Sequence, residues 1–203
     1  MEAVSFFDLF WHNLQHTTLL ELIAVLFGLL SVWYSKKVNI LVFPTGIISV
    51  LIYIYITFFA KLYADMFINF VYFVMSVYGW YHWTHPQKGQ QERPVSFASR
   101  QQNLAGILVT IVLFVAMRFI LKNYTDSNVP IIDALTTAIF MVGMWLMAIK
   151  KVENWIYWIV GDVISVPLYF YKGLVFTSFQ FFVFLIIAVA GYSAWRKEAQ
   201  HVS

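Results

Sequence analysis

Lys150-Lys151-Val152-Glu153-Asn154-Trp155-Ile156-Tyr157-Trp158-Ile159-Val160-Gly161-Asp162 runs on through Ser165-Val166-Pro167-Leu168-Tyr169-Phe170-Tyr171, and much of it has been met before. Lys36-Lys37-Val38 precedes Ser49-Val50-Leu51-Ile52-Tyr53-Ile54-Tyr55 in the same way. Asn39 to Gly46 and Asn154 to Gly161 share one spacing, and each copy closes on Gly-x-x-x-Trp, Gly79 to Trp83 and Gly191 to Trp195. The chain therefore reads as two related helical bundles, and its chemistry is to be sought between them.

Composition decides the solvent. Hydrophobic residues make up 61% of the 203, charged residues 11%, and the mean hydropathy is +0.74. A soluble core of this length has no room for so much apolar surface, so the surrounding medium is lipid. The 20% of aromatic residues cluster near the ends of apolar runs, as in the belts of a bilayer protein. There is no cysteine, hence no disulfide framework and no thiolate chemistry.

A spanning helix needs about 20 apolar residues, and seven runs qualify: 20–35, 39–59, 66–83, 103–121, 131–149, 155–171 and 174–195. In lipid each must be helical, because a backbone there has to satisfy its own hydrogen bonds. Lys36, Lys37, Lys88, Arg93, Arg100, Lys150, Lys151, Arg196 and Lys197 fall on the side of the carboxyl terminus, against Lys61, Arg118, Lys122 and Lys172 on the other. This positive-inside bias puts the carboxyl terminus in the cytoplasm and the amino terminus outside.

The expected class is an all-α, multi-pass integral membrane protein of seven spans in a 3+1+3 arrangement. Residues 1–18 form an amino-terminal interfacial segment, 19–83 the first three-helix repeat and 84–102 a cytoplasmic loop. Residues 103–130 give a connector helix and outer loop, 131–195 the second repeat and 196–203 a cytoplasmic tail. With the fourth helix returning the chain, the two triplets run parallel, as in the SWEET class of sugar carriers. That architecture implies a transporter with its site near the bilayer midplane, between triplets.

Phe6-Phe7-Asp8-Leu9-Phe10-Trp11 lacks the positive start and small-residue cleavage site of a signal peptide and reads as an interfacial helix. The loop 84–102, with Pro86, Gly89 and Pro94, has the composition of a linker.

In the sixth span Trp155, Trp158, Asp162, Ser165 and Tyr169 lie on one helical stripe. Asp162 comes roughly 12 Å into the membrane at 1.5 Å per residue. A carboxylate at such depth costs about 2.5–3.5 kcal/mol on insertion scales and requires a wet cavity, a cation or a hydrogen-bonding partner. Structural glue between helices is the competing reading for Asp162, and an interface anchor for Trp155. Matched to the first copy, Trp155, Trp158 and Asp162 fall opposite Ile40, Phe43 and Ile47. Two indoles and an acid on one face suit a flat cationic heterocycle, through stacking, cation-π attraction and ion pairing.

Asn69, Tyr72 and Ser76 in the third span, and Thr177 and Gln180 in the seventh, are further polar candidates, either for a ligand or for helix–helix bonds. Pro44 and Pro167 interrupt the second and sixth spans, where they act as kinks or hinges. A seven-helix photoreceptor needs a lysine within the seventh span, and 174–195 has none. No nucleophile, acid–base pair or metal set marks an enzyme: His12 and His16 have helical metal spacing without a third ligand, and His82 and His85 read as interfacial. No cofactor, resident metal or nucleic-acid partner is expected. The lipid bilayer and a small cationic solute are.

Val152-Glu153-Asn154-Trp155-x-x-Trp158, Val163-Ile164-Ser165-Val166, Asn69-x-x-Tyr72 and Tyr78-Gly79-Trp80-Tyr81-x-Trp83 together resemble the PnuC family of vitamin transporters, over residues 21–195. The resemblance implies seven-helix protomers assembled as homotrimers in the cell inner membrane. It also implies facilitated diffusion of nicotinamide riboside, trapped by a cytoplasmic kinase, with relatives carrying thiamine or riboflavin. Trp155 and Trp158 would flank the substrate, and Asn69 and Tyr72 would supply polar contacts. Asp162 departs from the amide that the resemblance implies there. The alternatives are a thiamine carrier of the same family, a SWEET-like small-solute carrier, and proton coupling through Asp162.

Overall fold

The structure, a computed structural model, describes residues 6–86, 93–125 and 127–202. The expectations on Lys88, Gly89, Asp8 and the His16 side chain fall outside what is described. Among the described residues eight helices follow in order: α1 (Phe6–His16), α2 (Leu19–Lys36), α3 (Val42–Phe59), α4 (Tyr63–Thr84), α5 (Arg100–Tyr124), α6 (Pro130–Ala148), α7 (Asn154–Tyr171) and α8 (Val175–Val202). Five of them, α2, α3, α5, α6 and most of α8, are long and apolar enough to cross a membrane. The expected third and sixth spans correspond to α4 and α7, which fall short of that hydropathy because they hold the polar residues described below.

The helix starts are written in the sequence. Thr18 and Glu21 form a reciprocal capping box at α2, with Thr18 N donating to Glu21 Oε2 at 2.7 Å and Glu21 N to Thr18 Oγ1 at 3.2 Å. Ser99 and Gln102 do the same for α5, and Pro130 opens α6 at a position whose N–H would be idle in any case. Asn13 of α1 caps another helix: its Oδ1 accepts from Val175 N at 2.8 Å. Phe10 seals this joint against Phe176 and Phe179.

The helix ends show a regularity that residue identity had blurred. The α2–α3 turn passes through Val38 (φ 52°), the α6–α7 turn through Lys150 (φ 55°), the α3–α4 turn through Lys61 (φ 60°) and the α7–α8 turn through Gly173 (φ 75°). Each left-handed residue lets the amides after it reach back to orphan carbonyls. Asn39 N donates to Tyr34 O and Lys151 N to Leu146 O; Leu62 N donates to Thr57 O and Leu174 N to Tyr169 O. All these pairs have one constant separation in sequence, and so do Val42 with Asn154, Gly79 with Gly191 and Trp83 with Trp195. Pairing Lys36 with Lys150 or Ser49 with Ser165 would require gaps that the backbone does not have. Short identities among a few residue types arise by chance in lipid-facing helices, whereas turn geometry sets the register. By that register Trp155, Trp158 and Asp162 stand opposite Phe43, Gly46 and Val50.

The carboxyl-terminal ends of α2, α4 and α6 meet the later turns of α8 at one end of the bundle. Trp83 Nε1 donates to Ala148 O at 3.1 Å, and Trp195 Nε1 donates to Ser35 O at 2.8 Å. The four helices thus share a direction. Between them lies an aromatic plug, with Phe43 edge-on to Trp83 at 5.0 Å and Trp155 edge-on to Trp195 at 5.7 Å. Gly79 and Gly191 admit it: a Cβ on Gly79 would strike the Phe43 ring, and one on Gly191 would sit 2.6 Å from the Trp155 ring. Rings buried this completely have nowhere to retreat. Gly79→Ala and Gly191→Ala are each expected to destabilise the protein by about 1–3 kcal/mol, read as an earlier thermal unfolding transition in detergent. An unchanged transition would show that the plug is loosely packed.

The loop between α4 and α5 is attached over its second part. Ser96 N donates to Lys150 O and Val152 N to Ser96 O, both at 3.1 Å. Lys150 Nζ donates to Arg93 O, Lys151 Nζ to Ser96 Oγ, and Ala98 N to Glu153 Oε2, each at 2.8 Å. Val95 is buried with the plug. Residues 93–98 are therefore a strap fastened to the α6–α7 turn rather than a free linker.

Candidate functional site

A cavity of about 530 Å³ lies among α2, α3, α4, α6, α7 and α8, a volume in the range of small-molecule sites. Its closed end is the aromatic plug, reached by Ser35, Phe43, Met147 and Trp155. Its other end is lined by Thr17, Glu21, Asp65 and Phe176, near the joint of α1 and α8.

Seven helical residues separate Trp155 from Asp162, so α7 lays Trp155, Trp158, Asp162 and Tyr169 along the cavity in that order, and all four line it. Asn69, Tyr72 and Ser76 of α4 and Gln180 of α8 line it as well. With Thr177 of α8, which lines it too, nine of the ten candidate residues are thereby brought together. Ser165 is the exception: at one edge of the α7 stripe, it is fully buried and outside the lining, with its hydroxyl unpartnered. Asn69 spends one donor inside its own helix, on Asp65 O at 2.9 Å, and keeps its side-chain carbonyl available.

The two long walls differ because equivalent positions exchange size. In the first half Gly28 faces Ser49, and Gly46 faces Ser31. At the same register in the second half Phe140 covers Gly161, and Trp158 covers Gly143. One wall is consequently built of small residues. The other is a continuous aromatic stack: Trp158 on Phe140 at 5.5 Å, Phe140 on Phe181 at 5.8 Å, and Phe181 on Tyr169 at 5.0 Å with the last two rings 8° from parallel. A planar ligand fits between a flat wall and a shallow one.

Asp162 is 2% exposed, lines this space, and has no hydrogen-bond or ionic partner among the described residues. The competing glue reading needs a bond from Asp162 to a neighbouring helix, and none is present among the described residues. A second, partly exposed acid behaves in the opposite way. Asp133 accepts Lys172 Nζ at 2.6 and 2.8 Å and Ser127 Oγ at 2.6 Å, so its charge is already met.

Trp155 is a plug residue and a lining residue at once, and its indole N–H is unpartnered. The anchor reading at a membrane interface does not fit a ring buried to this degree. Pro44 sits in the first turn of α3, where no helical amide is lost. Pro167 is inside α7, and Ser178 of α8 donates to Val166 O beside it at 2.8 Å.

Phe140, Phe181, Gly28, Ser31 and Gly46 were missed in the sequence, as were Glu21 and Asp65. The acids carried a signal, since charges inside apolar runs mark function. The aromatic and small wall residues carried none, because the lipid side and the cavity side of a membrane helix are both apolar.

The chain resembles known proteins over nearly its whole length. The chain is similar to the nicotinamide riboside transporter PnuC of Escherichia coli strain K12, 23% identical over 96% of this chain and 88% of that one. It is also similar to the riboflavin/roseoflavin transporter RibM of Streptomyces davaonensis, 26% identical over 96% and 89%. The crystal structure of the vitamin B3 transporter PnuC superposes with a TM-score of 0.73 at 25% identity, covering 100% of this chain and 93% of that one. The family pattern described as nicotinamide mononucleotide transporter matches residues 18–197, and the chain belongs to this family of membrane transporters.

Proposed function

We propose that the chain is a facilitative carrier for nicotinamide riboside, with alternating access around the cavity between its two halves. One observation carries the reading. A buried carboxylate without a protein partner, Asp162, stands one helical turn from an indole, Trp158, whose ring plane is set by Phe140 behind it. A permanently charged aromatic ring answers both, by ion pairing and by stacking. Riboflavin, carried by a relative, brings no positive charge to Asp162. Thiamine does, and a thiamine carrier is the second reading.

In this proposal α2 to α8 are the seven spans, α2–α4 and α6–α8 the parallel triplets, and α5 the connector. The constant register between the triplets and the shared direction of α2, α4, α6 and α8 support it. The plugged end faces the cytoplasm, in keeping with the basic residues there, so the cavity is reached from outside. The inner membrane location, homotrimer and kinase that traps the nucleoside follow from the resemblance.

A uniporter equalises activity and does not concentrate its substrate; accumulation then depends on phosphorylation after transport. Vesicles holding the purified protein are expected to take up labelled nicotinamide riboside to the outside concentration without a pH or sodium gradient. An overshoot driven by either gradient would replace the uniport mechanism by a coupled one, with Asp162 as the first proton carrier to examine.

A further inference from the structure

At the closed end of the cavity two buried polar atoms have no partner, Trp155 Nε1 and Ser35 Oγ. Both residues line the cavity, at 1% and 3% exposure. Trp195 joins them, since its ring meets Trp155 edge-on at 5.7 Å while its Nε1 donates to Ser35 O at 2.8 Å. The fold does not need either polar atom. At the register set by the turns, Trp155 corresponds to Phe43, which fills the plug against Gly79 with no N–H, and Ser35 corresponds to Met147. Apolar residues at both equivalent positions perform the packing in the other half, so the polarity on one side of the floor is surplus to structure. Buried polar groups are rarely left unpaired, and an unpaired one in a native protein needs an account.

The chemistry of the missing partner follows from the donors. An indole N–H only donates, whereas a serine hydroxyl donates and accepts. A hydroxyl group satisfies either one, accepting from the indole or exchanging a hydrogen bond with the serine. No cationic side chain lines the floor among the described residues, so the site suits a neutral hydroxylated group. Trp155 precedes Asp162 by seven residues, about 10 Å along the helix, with Trp158 between them. The geometry points to a second subsite, Ser35 with Trp155, that takes the hydroxylated arm of the ligand while its charged ring lies on Trp158 beside Asp162. This rests on the function proposed above and adds the orientation: ring toward the open end, hydroxyls toward the plug.

The test compares two cations that share a ring, nicotinamide riboside and 1-methylnicotinamide, which lacks the arm. Affinities are measured by isothermal titration of the purified full chain. Ser35→Ala and Trp155→Phe are each expected to weaken nicotinamide riboside by about three- to tenfold, the worth of one buried hydrogen bond. 1-Methylnicotinamide should change by less than about twofold, since it makes no such bond. Equal weakening of both ligands, or no weakening of the nucleoside, overturns the subsite. Trp155→Phe also touches the plug, so if its unfolding transition falls, Ser35→Ala alone decides. Wild-type protein that binds neither cation refutes the proposed function and the subsite with it; wild-type protein that binds both equally refutes only the subsite.

Discussion

Trp158→Ala is expected to weaken nicotinamide riboside binding by about 60- to 300-fold, the largest single effect in the chain. The indole contributes a cation-π contact worth about 2 kcal/mol when desolvated and a stacking area worth about 0.5–1.5 kcal/mol more, and a tenfold change in affinity is about 1.4 kcal/mol. Pre-organisation adds to its weight. Phe140 lies behind the ring at 5.5 Å and 27° from parallel, so the ligand meets a surface already oriented. The control is His82→Ala, a residue on α4 outside the cavity lining, for which the affinity should stay within about twofold. Equal losses in the two variants would remove the stacking argument, since His82 has no ligand to stack on.

Asp162→Asn is expected to weaken nicotinamide riboside by about 10- to 140-fold and to leave a neutral flavin unchanged. The amide keeps the volume and one acceptor oxygen but removes the charge, and an interaction with a charged group is worth about 1.5–3 kcal/mol. The carboxylate has no partner of its own to lose, so no ion pair collapses with it. That separates this acid from Asp133, whose neutralisation would strand Lys172. Titrating the variant with nicotinamide riboside and with riboflavin gives a ratio that general damage to the protein does not move. If both affinities fall together, Asp162 is holding the helices and not the ligand.

Much of this was legible in the residues. Apolar runs bounded by basic clusters placed the helices, the capping pairs Thr18–Glu21 and Ser99–Gln102 placed two of their starts, and the stripe on α7 placed four residues of the cavity wall. The limits have physical causes. Matching by identity aligned Trp158 with Phe43, yet the turns at Val38 and Lys150 set it against Gly46, because φ above zero and the reach of the following amides determine register. That correction matters for the site. With Gly46 opposite Trp158, and Gly28 opposite Phe140, the asymmetry is one of size as well as charge. The hollow is where the first half is small. Ser165 shows the other limit: a stripe drawn at helical spacing is broader than a cavity, and its edge residues end in the protein interior.

The strap of residues 93–98 has a mechanical meaning. It is bonded to the α6–α7 turn through backbone pairs at Ser96, through Lys150, Lys151 and Glu153, and through the buried Val95. The turn at Val38 has no comparable tether among the described residues. Any swing of the α6–α7 hairpin therefore tows the start of α5 with it, and the two ride as one stiff lever, while α2 and α3 hang free of that linkage at the same depth.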